Sequence, residues 1–219
     1  MAAQQQKNTR QALLDAACKL FAEHGFEAVS TRMIADEAGV NLGGIHYHFG
    51  SKHDLYVAAF RFATETEKLF SLGIVAEMHP ELMDTREGQA EIIHITARQL
   101  FREFFNIESI GWTKRMVLQE LCFPSTASPI LDQELFKPNL LRDVKFLHHV
   151  CPDASEETLL VWAIFLVAQL IFYVLTQSSL PSIFGLSGSN KDFYTTAARE
   201  TANALILMMG LPQETDQAE

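Results

Sequence analysis

Apolar residues recur at helical spacing through almost the whole chain, and short polar or glycine-bearing breaks divide them. Leu13, Leu14, Ala17, Leu20 and Phe21 form one stripe, which predicts a helix from about Asn8 or Thr9 to His24. Gly25 ends it and Phe26 folds back beneath it. Ser30 is placed to cap a second helix, Thr31 to Ala38, with Ile34, Ala35 and Ala38 inward. Gly39 closes that helix, Val40 is an apolar plug, and Asn41 opens a very short third helix. Gly50-Ser51 breaks the chain again, and Ser51 caps a fourth helix with Leu55, Ala58, Ala59, Phe62 and Leu69 on its apolar side. Nothing between Arg61 and Leu72 reads as a linker. The fourth helix is therefore expected to run unbroken from Lys52 to about Leu72, as a lever out of the N-terminal part.

Residues 73–88 read as a loop. Helical spacing returns from Gln89 to Phe105 and from Ser109 to Cys122. Pro124 and Pro129 bracket a turn, and Ile130 to Val150 reads as a long helix kinked at Pro138. Ser155-Glu156-Glu157 is a helix start. From Thr158 to Leu175 the chain is almost wholly apolar, which touches the length of a membrane span, roughly 18–20 residues. Gln169 inside it, flanks without Lys or Arg, and no second candidate favour a helix buried in a core or at a subunit interface. Ser178–Ser189 reads as a loop, Asp192–Met209 as the last helix, and residues 213–219 as an acidic tail. No stretch reads as a strand, so the fold class is all-α. The domains are a helix-turn-helix at 1–54 and a helical bundle at 55–212.

The third helix is odd as a purely structural object. Gly43 and Gly44 in its first turn each cost roughly 0.5–1 kcal/mol relative to alanine. His46, Tyr47 and His48 crowd its other positions with polar aromatic groups. A short, locally weak helix with that face suits a surface that touches something. Helix, tight glycine turn, helix is the helix-turn-helix pattern, whose second helix enters the major groove of DNA.

Charge changes this picture. The 219 residues carry a formal net charge of −10, of which residues 1–60 account for −1. DNA binding must then rest on where single cations sit, with modest non-specific affinity. The three cysteines, Cys18, Cys122 and Cys151, form no C-x-x-C pair and read as reduced thiols. His148-His149-x-Cys151 matches no closed zinc pattern, so no metal and no cofactor is expected. Met1–Lys7 is polar and glutamine-rich, unlike a signal peptide, and reads as a frayed arm. No nucleophile elbow, phosphate loop or H-E-x-x-H is present, which argues against an enzyme.

Gly25-Phe-Glu-Ala-Val-Ser-Thr-Arg-Met-Ile-Ala-Asp-Glu-Ala-Gly-Val40, followed by Gly43, His48-Phe49 and Lys52-x-x-Leu55, resembles the DNA-binding domain of TetR-family transcriptional repressors. Met116-Val-Leu-Gln-Glu-Leu-Cys-Phe-Pro-Ser125 is similar to the branch whose C-terminal domain is of the CecR type. The resemblance implies a homodimer on palindromic double-stranded DNA in the cytoplasm, released by a small-molecule effector in a C-terminal ligand-binding and dimerisation bundle, with no membrane partner. It places Leu42, Gly44 and His46, beside Gly43, against bases. Tyr47 and His48 would meet phosphates, Ser30 and Thr31 would cap and hold a phosphate, Arg32 would reach a base edge or phosphate, and Lys52 would hold another. Gly44 and His46 depart from the Thr or Ser and the Tyr usual there, which implies looser direct readout. Phe101, Phe105, Trp112, Met116, Gln169, Phe172 and Tyr173 are the candidate effector contacts, and the last two long helices the candidate dimer face.

Overall fold

The computed structural model describes residues 2–66, 70–105, 111–125, 128–176, 179–185 and 191–213. Every regular element among the described residues is a helix, and none is a strand. The chain divides into two compact units, residues 1–69 with 109–134, and residues 70–108 with 135–219.

The first unit holds α1 (Ala2–Ala28), α2 (Thr31–Ala38), α3 (Gly43–Phe49), α4 (Lys52–Thr66), α7 (Trp112–Cys122) and α8 (Ser128–Leu131). α1 begins at Ala2, so residues 2–7 are helical and not a frayed arm. Its helical geometry breaks at Gly25, where φ is 77°. Leu13, Leu14, Ala17 and Phe21 of α1 are buried with Ile34, Ile45, Leu55 and Phe60. The Phe21 ring meets Tyr56 edge-on at 4.8 Å, and the Cys18 thiol donates to the Ala59 carbonyl. α7 packs on α1 and α4, and the Gln119 amide donates to the Ala22 carbonyl at 3.2 Å. The sequence division at residue 54 differs from this one because α7 returns to the N-terminal helices.

The second unit holds α5 (Leu72–Met78), a 3-10 turn (Pro80–Asp84), α6 (Arg86–Phe105), α9 (Lys137–Val150), α10 (Glu156–Thr176), α11 (Leu180–Phe184) and α12 (Lys191–Met208). α6 is central and packs against α5, α10 and α12. Close crossings need glycine. A Cβ at Gly73 would lie 2.5 Å from the Arg142 backbone, and one at Gly88 2.3 Å from the Leu82 carbonyl oxygen. Arg86 donates to the carbonyls of Val150 at 2.9 Å, the last residue of α9, and of Gly210 at 3.1 Å, just past the end of α12. One guanidinium thus satisfies carbonyls left open at two helix C-termini.

Four expectations change. The lever is not continuous: α4 is described to Thr66, while Ser71 is extended (φ −148°, ψ 166°) and caps a new helix by accepting from the Ile74 amide. Residues 73–88 are not a loop, since α5, the 3-10 turn and the start of α6 occupy them. Ile130–Val150 is helical along its length but not α-helical throughout. The helical run is unbroken across 128–150, but a π segment over Asp132–Phe136 lies between α8 and α9, and Pro138 lies in the first turn of α9. Within the expected loop 178–189 lies α11, and residues 177–178 and 186–190 are outside the described residues, as is the tail beyond 213.

Candidate nucleic-acid interface

The geometry of the α2–α3 pair follows from its caps. The Ser30 hydroxyl oxygen accepts from the Met33 amide at 3.2 Å, a cap worth about 1 kcal/mol. Gly39 takes the left-handed conformation (φ 65°, ψ 30°), and the Val40 amide returns to the Ala35 carbonyl at 3.0 Å. Ile34, Ala35 and Ile45 then become the shared core. Asn41 accepts the Gly43 amide at 3.0 Å and starts α3. At the far end the Ser51 oxygen accepts from the Asp54 amide, while its hydroxyl donates to the Asp54 carboxylate at 2.6 Å.

This frame fixes what α3 presents. Leu42, Gly43, His46 and Tyr47 are exposed, Tyr47 to 72%. His48 is half-buried, with its ring 5.0 Å from that of Tyr47. Gly44 faces differently: a Cβ there would meet Leu13 and Thr9 of α1 at 3.9 Å. Ser30 and Arg32 are exposed and Thr31 half-buried, beside the open amides of the first turn of α2. The Lys52 ammonium lies 4.3 Å from the centre of the Phe26 ring, which orients the cation. Arg10 of α1 lies over the Phe49 ring at 5.2 Å. No local pattern marks Arg10 as a cation of this site, because it meets Phe49 only through the packing of α1 on α3. Lys19 is engaged elsewhere, in a 2.6 Å ion pair with Glu37 that raises its pKa through the hydrogen bond and the charge.

Within the same unit, Glu120 of α7 is nearly inaccessible. Its carboxylate accepts from the Tyr56 hydroxyl at 2.6 Å, from the Ser125 amide and hydroxyl at 2.8 and 2.9 Å, and from the Ser128 hydroxyl. Burial pushes the carboxyl up, but the bonds from Ser128, Tyr56 and Ser125 outweigh it and leave it below the ordinary glutamate value. The same burial and the neighbouring carboxylate push Tyr56 up.

The candidate effector residues do not share one unit. Trp112 (exposed) and Met116 (buried) lie on α7 in the first unit. In the second, Phe101 meets Phe105 at 5.8 Å and Tyr173 at 5.6 Å. Gln169 is half-buried and Phe172 is exposed. Tyr194, unremarked in the sequence, stacks on Phe105 at 3.8 Å, nearly parallel. Arg98, Phe101, Arg102, Phe105, Tyr194, Thr195 and Ala198 line a small cleft open to solvent. Burial raises the Tyr194 pKa. Among the described residues no three His, Cys, Asp or Glu side chains gather as a metal site.

The family profile of bacterial regulatory proteins, tetR family, matches residues 13–59. The chain is 37% identical over 79 residues to the HTH-type transcriptional repressor AcnR of Corynebacterium glutamicum, covering 35% of this chain and 42% of that one. It is 28% identical over 144 residues to the HTH-type transcriptional dual regulator CecR of Shigella flexneri, covering 60% of each. The chain thus spans less than two thirds of either relative. Its fold matches the multidrug binding protein EbrR complexed with malachite green, with a TM-score of 0.60 at 23% identity over 93% of this chain and 98% of that one. That likeness is one of fold.

Proposed function

We infer, from the match of residues 13–59 to the profile of bacterial regulatory proteins, tetR family, that this chain is a cytoplasmic, sequence-specific DNA-binding regulator and not an enzyme. It acts as a repressor. The observation that carries this reading is the α2–α3 pair, whose caps leave Leu42, Gly43, His46 and Tyr47 outward on a short helix. Arg32, Lys52 and Arg10 supply cations at its borders, and Tyr47 and His48 reach phosphates. Two such units one DNA turn apart fit a palindromic operator.

The second copy comes from α10. This helix is long and apolar enough to cross a membrane by length and composition, with a mean hydropathy of 2.4, and only 28% of its most apolar stretch is buried. Leu160, Val161, Ile164, Val167, Phe172 and Leu175 are exposed on it, and Leu207 and Met208 on α12. An apolar stripe of that length is covered in water by a second copy of itself. Ile164→Glu should convert the dimer to monomers in sedimentation and abolish operator binding. A small apolar effector suits the aromatic cluster of Phe101, Phe105, Tyr173 and Tyr194. EbrR, whose fold this chain shares, is a multidrug binding protein.

A gel shift of the dimer on its own upstream DNA tests the reading, with Tyr47→Ala and Lys52→Ala expected to weaken binding. Absence of a shift at low salt on every fragment would refute it in favour of a helical protein-binding adaptor.

A further inference from the structure

Gly50 ends α3 with φ at 85°. Its amide donates to the carbonyls of His46 at 3.1 Å and Ile45 at 3.3 Å. In return, Nδ1 of the His46 imidazole sits 2.9 Å from the Gly50 carbonyl oxygen. A carbonyl oxygen has no hydrogen to give, so the hydrogen of this contact is on Nδ1. A neutral imidazole carries one ring hydrogen, which leaves Nε2 a bare acceptor. The two bonds between residues 46 and 50 close a ring that holds the imidazole at the end of α3. The sequence left both tautomers open; the contact with Gly50 selects one.

His46 is exposed on the same short helix as Leu42, Gly43 and Tyr47. In the major groove, hydrogen-bond donors come only from the exocyclic amino groups of adenine and cytosine. Guanine offers N7 and O6, and thymine O4, all acceptors whose lone pairs would oppose Nε2. Resting on the reading of α3 as the groove-entering helix, we propose that His46 determines specificity by accepting a hydrogen bond through Nε2 from the amino group of an adenine or a cytosine. An arginine at this position could only donate, and would favour the opposite set of bases.

An amino base on one strand pairs with a keto base on the other, so the test deletes single functional groups. Binding-site selection with the full chain at pH 8.5 locates the base pair whose preference His46→Ala erases. There, adenine is replaced by purine, which lacks the amino group, or by 7-deazaadenine, which lacks N7. Cytosine is replaced by 2-pyrimidinone, which lacks the amino group. Removing the amino group should weaken wild-type binding about fivefold to tenfold, the worth of one hydrogen bond, and leave His46→Ala unchanged. Removing N7 should change neither. His46→Arg should move the preference to guanine. Nitrogen-15 NMR of the free protein should show a pyrrole-type Nδ1 and a pyridine-type Nε2. The proposal fails, with DNA binding intact, under any of three results: no position depends on His46, wild type tolerates amino deletion as well as His46→Ala does, or Nε2 carries the proton. A chain that binds no DNA at low salt overturns the reading of α3 itself, and this proposal with it.

Discussion

Tyr56→Phe removes one oxygen from the buried contact that joins α4 to α7. Tyr56 is 2% exposed and its ring packs on Phe21 and Phe26, so phenylalanine keeps the shape and opens no cavity. What is lost is the 2.6 Å bond from the hydroxyl to Glu120. The carboxylate stays ionised near neutrality because its pKa lies below the ordinary value. A hydrogen bond to a charged acceptor contributes about 1.5–3 kcal/mol. Three donors remain on Glu120, from Ser125 and Ser128, so the lower end applies, about 1.5–2 kcal/mol. The assay is urea unfolding of the first unit followed by Trp112 fluorescence, in a Trp162→Phe background that silences the second unit. A double-mutant cycle with Glu120→Gln isolates the pair. The lowered carboxyl pKa sets the pH window: the stabilisation is complete above about pH 4.5 and is lost as pH falls through the folded-state value. The gap between wild type and Tyr56→Phe should narrow over the same range. A coupling below roughly 0.5 kcal/mol at pH 7, within the scatter of independent sites, would refute the assignment of Glu120 as the clasp of this unit.

Three further outcomes follow from single contacts. Gly73→Ala forces a Cβ to 2.5 Å from the Arg142 backbone and should lower the stability of the second unit by about 1–3 kcal/mol, read by Trp162 fluorescence in urea; an unchanged midpoint would mean that α5 and α9 separate freely. Burial pushes the Asp143 carboxyl up to about 6, against the opposing bond from the Gly73 amide. Its folded-state pKa is raised, so stability should fall by about 3 kcal/mol as pH rises from about 4 to about 6. Asp143→Asn should flatten that profile, and an equal slope in both proteins would assign it to another group. Gly44→Ala adds a methyl in ordinary contact with Leu13 and Thr9 and removes a glycine from the first turn of α3, so unfolding should become harder by about 0.5–1 kcal/mol; a loss of stability would show that the α1–α3 gap is tighter than 3.9 Å.

The sequence by itself determined the helix-turn-helix. α2 spans Thr31–Ala38 as its apolar spacing requires, with Ser30 capping it and Gly39 closing it. These features are local, because each cap or turn bond spans five residues or fewer. Apolar periodicity also located α6, α7, α10 and α12 to within a few residues. Only the tertiary structure decided which helices belong together. The break before α5 escaped sequence reading because Leu69, Phe70 and Leu72 continue the apolar spacing past Ser71, and the Asp143 carboxylate that accepts the Gly73 amide is seventy residues away. α7 read as part of the effector bundle because its stripe fits any apolar partner, and its placement on α1 and α4 rests on Glu120 meeting Tyr56. The tautomer of His46 lies between these cases. Four residues separate it from Gly50, a local distance, yet a sequence states no side-chain orientation. A chain fixes the torsions that its near neighbours constrain, whereas the choice among apolar faces, and the direction of a polar group, depends on contacts that exist only once the helices have packed.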